Sequence, residues 1–351
     1  MKNIFLGASI LGTLLLVSCN KDDNANDMNA SLNVNYPAAY VVNGEDATIS
    51  VIRLSTNEVT ATIPLMGTAS DMIMWPHHIS SHEGHLAIGV PGMDFSAGHT
   101  GAMEGMTGKL LIVDAMNGMI IENLDLPAMN HNTIYSPDGT EIWVPQMDMD
   151  GKVLVYNAST YALTNTITVG MMPAELTFSA NGSKAYVANG DDDTVSVIDV
   201  ATKTVTATVT VGDNPVGAWK GTDGRMYVDN EDGQSISVIN ATTNAVDQTI
   251  DLGFMPGIAS HNGVKSELWV SDPMAGKVHY WTWDTAMGMW MHGGVFNTGA
   301  GAHAITFTTD GNTAYVTNQT ANTVSVVNVV NHTVSKTINV GKKPNGVVIK
   351  M

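Results

Sequence analysis

The chain repeats itself. Three 32-residue segments align without a gap: "KAYVANGDDDTVSVIDVATKTVTATVTVGDNP" from Lys184, "RMYVDNEDGQSISVINATTNAVDQTIDLGFMP" from Arg225 and "TAYVTNQTANTVSVVNVVNHTVSKTINVGKKP" from Thr313. Looser copies start near Ala39, Leu86, Glu141 and Glu267, so there are seven units, 41 to 55 residues apart. Self-similarity at such a period decides the architecture before any finer reading. Within a unit, β-branched and aromatic residues alternate between turn signals such as "SPDG", "SANG" and "TTDG", which is the pattern of four short strands. Four strands per unit at a period near 40 predict an all-β chain, a seven-bladed β-propeller of four-stranded antiparallel blades. The last unit ends in one extra strand, "NGVVIKM", and the first starts directly at "AYVVN". The C-terminal strand should therefore complete the first blade and close the ring, removing an open sheet edge.

The recurring "AYVVN", "AYVAN" and "AYVTN" resemble the YVTN repeat family of seven-bladed propellers, and the resemblance covers residues 36–351. It implies the same fold as the spacing does and leaves the activity open, because propellers host many functions.

The N-terminus reads differently. Lys2 precedes the apolar run "IFLGASILGTLLLV", which is short for a membrane span and is followed by small residues. Residues 1–18 read as a signal peptide, and Leu16-Val17-Ser18-Cys19 resembles a bacterial lipobox, whose cysteine becomes the lipidated first residue. Cys19 is the one cysteine of the chain, so no disulfide framework exists. Residues 19–35, with "NKDDNANDMNAS", read as a lipidated cysteine and a polar tether. The acidic "KDD" resembles the surface-export signal of Bacteroidetes lipoproteins. The expected location is the outer membrane of a Gram-negative bacterium, on its periplasmic side or at the cell surface, reached through the lipid anchor. With 33 acidic against 15 basic residues the net charge is -18, which excludes nucleic acid as a partner and favours cations.

Strand order assigns loops to faces. The loop from the fourth strand to the next first strand, and the loop between strands two and three, share one face, here the top. Counting back from the glycine of each first turn puts His131 of "MNHNTIYSPDG" and His303 of "GAHAITFTTDG" at one blade position. His77 of "WPHHISS" reaches that position if its turn is one residue shorter. Ala174, Val216, Gly257 and Asn345 fill the slot elsewhere, and His78 and Glu175 follow one residue later. His77, His131 and His303 are the expected inner metal ligands at the channel mouth, with His78 and Glu175 as supplements. Successive side chains on a strand point to opposite sides, so His77 and His78 can share an ion only where the strand bends.

Methionine adds a second signal. Twelve of the 22 methionines fall in top-face loops, among them Met129, Met147, Met172, Met255 and Met274. The inserted loop "PGMDFSAGHTGAMEGMTG" carries His99, Met103 and Met106, a candidate capture arm. Thioether and imidazole donors outside the cytoplasm suit copper.

"PHHISSHEGHLAIGV" followed by "AMNHNTIYS" also resembles the start of the propeller domain of nitrous oxide reductase, where a histidine pair and a histidine of the next blade ligate copper. The matching positions are His77, His78 and His131. That family uses more histidines and a second, cysteine-bearing copper domain that has no counterpart here, so the resemblance implies a smaller metal site in a similar place. No GxSxG elbow, HExxH helix or CxxCH haem motif occurs. The sequence thus points to a lipid-anchored extracytoplasmic propeller that binds copper for capture, delivery or tolerance. The alternatives are a metal-free surface propeller that binds a protein or glycan, and a metal-dependent oxidoreductase.

Overall fold

The computed structural model describes residues 32–67, 72–96 and 105–351. Cys19, the leader and most of the tether, and His99 and Met103 of the inserted loop lie outside them. Seven antiparallel sheets of four strands form a ring, a seven-bladed β-propeller. Blade 1 joins the two ends of the described chain: Pro344–Lys350 pairs with Ala38–Asn43, and Thr48–Arg53 and Glu58–Pro64 follow outward. The inner strands of blades 2 to 7 are Ile79–His82, Ile134–Tyr135, Pro173–Phe178, Pro215–Lys220, Ala259–Asn262 and Ala302–Phe307. They lie side by side around the channel, and Pro344–Lys350 sits between the inner strands of blades 7 and 2.

The core lies between blades. In Glu141–Gln146, Ile142 and Val144 pack with Ala87, Leu110 and Ile112 of blade 2, whereas Trp143 packs with Leu176, Phe178 and Val187 of blade 4. Alternate side chains of one strand thus serve two neighbouring blades. This is why the second strands carry nearly unbroken apolar runs, where a sheet wetted on one face would alternate.

The asparagine of the repeat has a defined task. Asn189 donates from Nδ2 to Thr194 Oγ1 and Ser196 Oγ, both at 3.0 Å, and Asn43, Asn230 and Asn318 do the same in their blades. The glycine before each proline loop lies against it. A Cβ on Gly212 would stand 2.7 Å from Asn230 Nδ2, and one on Gly341 2.6 Å from Asn43 Cγ. The "VG" of the repeat is therefore a close-approach requirement.

The packed unit begins earlier than residue 36. Val34 is buried, Leu32 packs on the same cluster, and Val34 N donates to Met116 O at 2.8 Å. Two apolar side chains within reach of the groove between blades 1 and 2 draw the end of the tether onto the propeller.

Candidate metal centre

Strand pairing fixes the register at the channel mouth. Ser80 opposes Ala87, Ile134 opposes Trp143, Thr177 opposes Tyr186 and Thr306 opposes Tyr315, which are equivalent pairs in blades 2, 3, 4 and 7. Three residues back from each inner-strand member stand His77, His131, Ala174 and His303, so the histidines do share one slot. In blade 2 the turn is the two-residue Glu83-Gly84, with φ of 42° and 93°, two residues shorter than the turns 137–140, 180–183 and 309–312 of blades 3, 4 and 7.

The slot lies in a bulge. His77 N donates to Gly89 O at 2.8 Å and Gly89 N donates to His78 O at 3.1 Å, so two residues oppose one. Gly257 and Ile258 oppose Ser271 in the same way, and the pairing shifts at the equivalent residues of blades 1, 4, 5 and 7. Such a bulge cancels the strict alternation of a strand and re-aims side chains. It turns both His77 and His78 toward the channel axis, which the sequence left undecided.

His77, His78 and His131 come together: each offers one ring nitrogen, and the three atoms lie within 4.8 Å of one another. Ring centroids are 4.1 Å apart for His77 and His131, 4.6 Å for His77 and His78, and 4.8 Å for His78 and His131. Glu175 Oε1 stands 2.9 Å from His78 Nε2 and 2.5 Å from His131 Nδ1. Each contact is an ion pair when the imidazole is protonated, and the same nitrogen and oxygen atoms are donors to a cation when it is not. An ion with bonds of about 2.0–2.1 Å holds tetrahedral neighbours about 3.3 Å apart, and these separations straddle that value. His77, His131 and Glu175 are each 1% exposed and His78 8%, so water cannot neutralise the set.

His303 stands further off. Its ring centroid is 5.5 Å from that of His77 and 5.7 Å from that of His78, and it does not belong to the tight group. Its blade is on the far side of blade 1, whereas His78 is tied to His77 through the backbone.

Three further residues complete the site. Asp229 is fully buried; burial, and next the charge of Glu175, hold its carboxyl well above the usual range. Its Oδ1 accepts the Trp219 Nε1–H. The Trp219 ring lies 5.8 Å from His78. The signal was present in the repeat, since "YVDN" has Asp229 where its sisters have Ala188 and Thr317. Phe95, from the inserted loop of blade 2, lies over the site, 5.4 Å from His131 and 6.0 Å from His77.

The methionines divide. Met129, Met147 and Met172 are buried with Phe95, Ala174 and Val216, and Met93 and Met106 pack on that cluster. They form an apolar cap, and the expected role of Met106 in a capture arm gives way to packing. Met72, Met74, Met149 and Met274 are exposed. His261 lies low in blade 6 against Asp223, and His279, His292 and His332 lie on outer strands and turns.

No family model matches the sequence and no curated protein matches it. Solved structures match its fold. A periplasmic gluconolactonase of Pseudomonas aeruginosa superposes with a TM-score of 0.68 at 16% identity, covering 90% of this chain and 99% of that one. A protein of unknown function from Desulfotomaculum acetoxidans gives 0.70 at 12%, over 89% and 98%. The hydrazine synthase of Kuenenia stuttgartiensis gives 0.62 at 15%, over 77% and 88%. At these identities the likeness concerns the fold alone.

Proposed function

We propose that this propeller holds one transition-metal ion at the top of its channel and serves metal capture, delivery or tolerance outside the cytoplasm. Cys19 anchors it through a lipid to the outer membrane. One observation carries the reading: His77, His78 and His131 offer three buried nitrogens within 4.8 Å, joined by Glu175. Three imidazoles and a carboxylate make a nitrogen–oxygen set, which suits a divalent ion. Copper, as Cu(II), stands at the top of the affinity order for such ligands, above Zn(II). The buried methionines carry no argument for Cu(I).

The test is equilibrium titration of the chain with Cu(II) and Zn(II), with chelator competition. The triple variant His77→Ala, His78→Ala, His131→Ala should lose more than the roughly 10–100-fold that removal of an outer-shell partner costs. Equal metal content in both proteins ends the proposal. For the anchor, Cys19→Ser should move the chain from the membrane to the soluble fraction; a variant that stays membrane-bound rules the anchor out.

A second reading has its own observation. A cavity of about 470 Å³ runs along the inner strands and reaches His78, which gives a small substrate room beside the ion. Turnover of a lactone, the substrate class named for the Pseudomonas aeruginosa structure, by the Cu(II)- or Zn(II)-loaded chain is its test; no turnover above the triple variant removes it.

A further inference from the structure

We infer that the ion reaches the centre from the top face, through a separate transfer site built around His303 and Glu231. This rests on the metal-binding reading above and names the route by which that site is filled.

Two cavities flank the histidine cluster, and they differ in chemistry. The lower one, about 470 Å³, touches His78 and is walled mainly by Ile134, Phe178, Ile258, Ile305 and Val347. No carboxylate, methionine or second histidine lines it, and Lys220 stands exposed at its far end. A cation entering there would pass an ammonium and then find only hydroxyls and apolar walls.

The upper cavity, about 250 Å³, is lined by Met274, Met255, Glu231, His303, Gln319 and Phe95. These donors form an ordered series. Met274 is 88% exposed at the rim. Met255 is half-buried, and Glu231 and His303 are buried below it. His303 then faces His77 at a centroid separation of 5.5 Å. Exposure falls from Met274 through Met255 to the buried pair Glu231 and His303, and His303 adjoins the triad.

This arrangement explains why blade 7 carries a histidine in the slot while that histidine stays outside the tight group. A ligand that hands an ion on must bind it less completely than the site it serves. The carboxylate of Glu231 supplies the attraction, in a chain whose net charge of -18 already favours cations. Among the described residues, Phe95 and its methionine cap lie over His77 and His131, and the side cavity offers a polar approach beside them.

Stopped-flow loading tests the route. Trp219, near His78, reports binding of glycine-buffered Cu(II) through its fluorescence. His303→Ala and Glu231→Gln should each slow loading, and slow removal by EDTA, by about tenfold, the lower end of the on-rate gain that a charged funnel supplies. Equilibrium affinity should stay within about threefold, whereas His77→Ala should abolish it. Lys220→Glu, in the lower cavity, should leave the loading rate unchanged. Loading of both upper variants at the parental rate overturns the inference. So does a loss of affinity in His303→Ala equal to that of His77→Ala, which would make His303 a resident ligand. Faster loading in Lys220→Glu places the route in the lower channel. Failure of the parent chain to bind Cu(II) or Zn(II) at all overturns the metal-binding reading itself. Each variant is checked by thermal unfolding, and Glu231→Gln, nearly isosteric, keeps the test open should His303→Ala not fold.

Discussion

Glycine decides how closely the strands around the histidines can approach. Gly346 of the closing strand occupies the same position as His78 and Glu175 in their blades. Its N donates to His77 O at 3.0 Å, and a Cβ there would stand 2.9 Å from His77 O and from Ile79 N, both backbone atoms. Gly346→Ala should therefore cost about 1–3 kcal/mol, the usual penalty for overpacking a rigid site. Because the atoms pushed belong to the His77-His78 bulge, metal affinity should fall with stability. Urea unfolding and Cu(II) titration of one preparation check both; a variant as stable and as tight-binding as the parent refutes the close-contact argument. The histidines themselves were legible in the sequence as departures from a small-residue slot. Their inward aim was not, because alternation along a strand forbids two neighbours on one face and only the bulge relaxes it.

At the level of the blade, the turn chemistry is repeated and partly electrostatic. In blade 5 the turn acid Asp223 is opposed by burial, which would raise its pKa. The hydrogen bond from Tyr227 and the charges of His261 and Arg225 outweigh that, and its carboxyl lies below the usual range. Tyr227 Oη donates to Asp223 Oδ2 at 2.7 Å and Arg225 Nη1 at 3.0 Å. The sign follows from proton binding. Between the folded pKa and the unfolded value near 3.8 the unfolded chain holds more protons, so stability falls as pH drops through that window and is fully present above it. Asp223→Asn should be less stable than the parent at neutral pH, and the difference should shrink as pH falls below about 4. Denaturant midpoints from pH 3 to 7 measure this; a constant difference would show that the carboxylate charge is not what the network uses. The aromatic, asparagine and glycine positions of each blade were readable because they obey local rules of pleat and turn. Phe95, Trp219 and Asp229 were harder, since each also faces a residue of another blade: His131, His78 and Glu175 respectively.

Across the whole ring, closure depends on one strand. Pro344–Lys350 covers the inner edge of Ala38–Asn43 and packs beside the inner strands of blades 7 and 2. Removing residues 344–351 would bare an apolar strand edge, since Val41, Val42 and Tyr40 are all buried in the closed ring, and bare edges template aggregation. The truncated chain should lose its single cooperative unfolding transition and aggregate on heating, as light scattering during a thermal ramp would show. A monomeric truncation with the parental transition would mean that the remaining six blades hold the ring without it.

Period-2 alternation, the turn residues and a spacing near 40 act between near neighbours in the chain, and so the sequence alone determined the blades, their number, the closure and the register that aligns His77, His131 and His303. Proximity across the channel is a property of the closed ring. Only the tertiary structure decided that His78 joins His77 and His131, that Glu175 adjoins them, that Met129, Met147 and Met172 pack into an apolar cap, and that His303 stands one step outside. These contacts join residues from different blades, and their distances depend on how seven sheets tilt and bulge around a common axis, which no local pattern specifies.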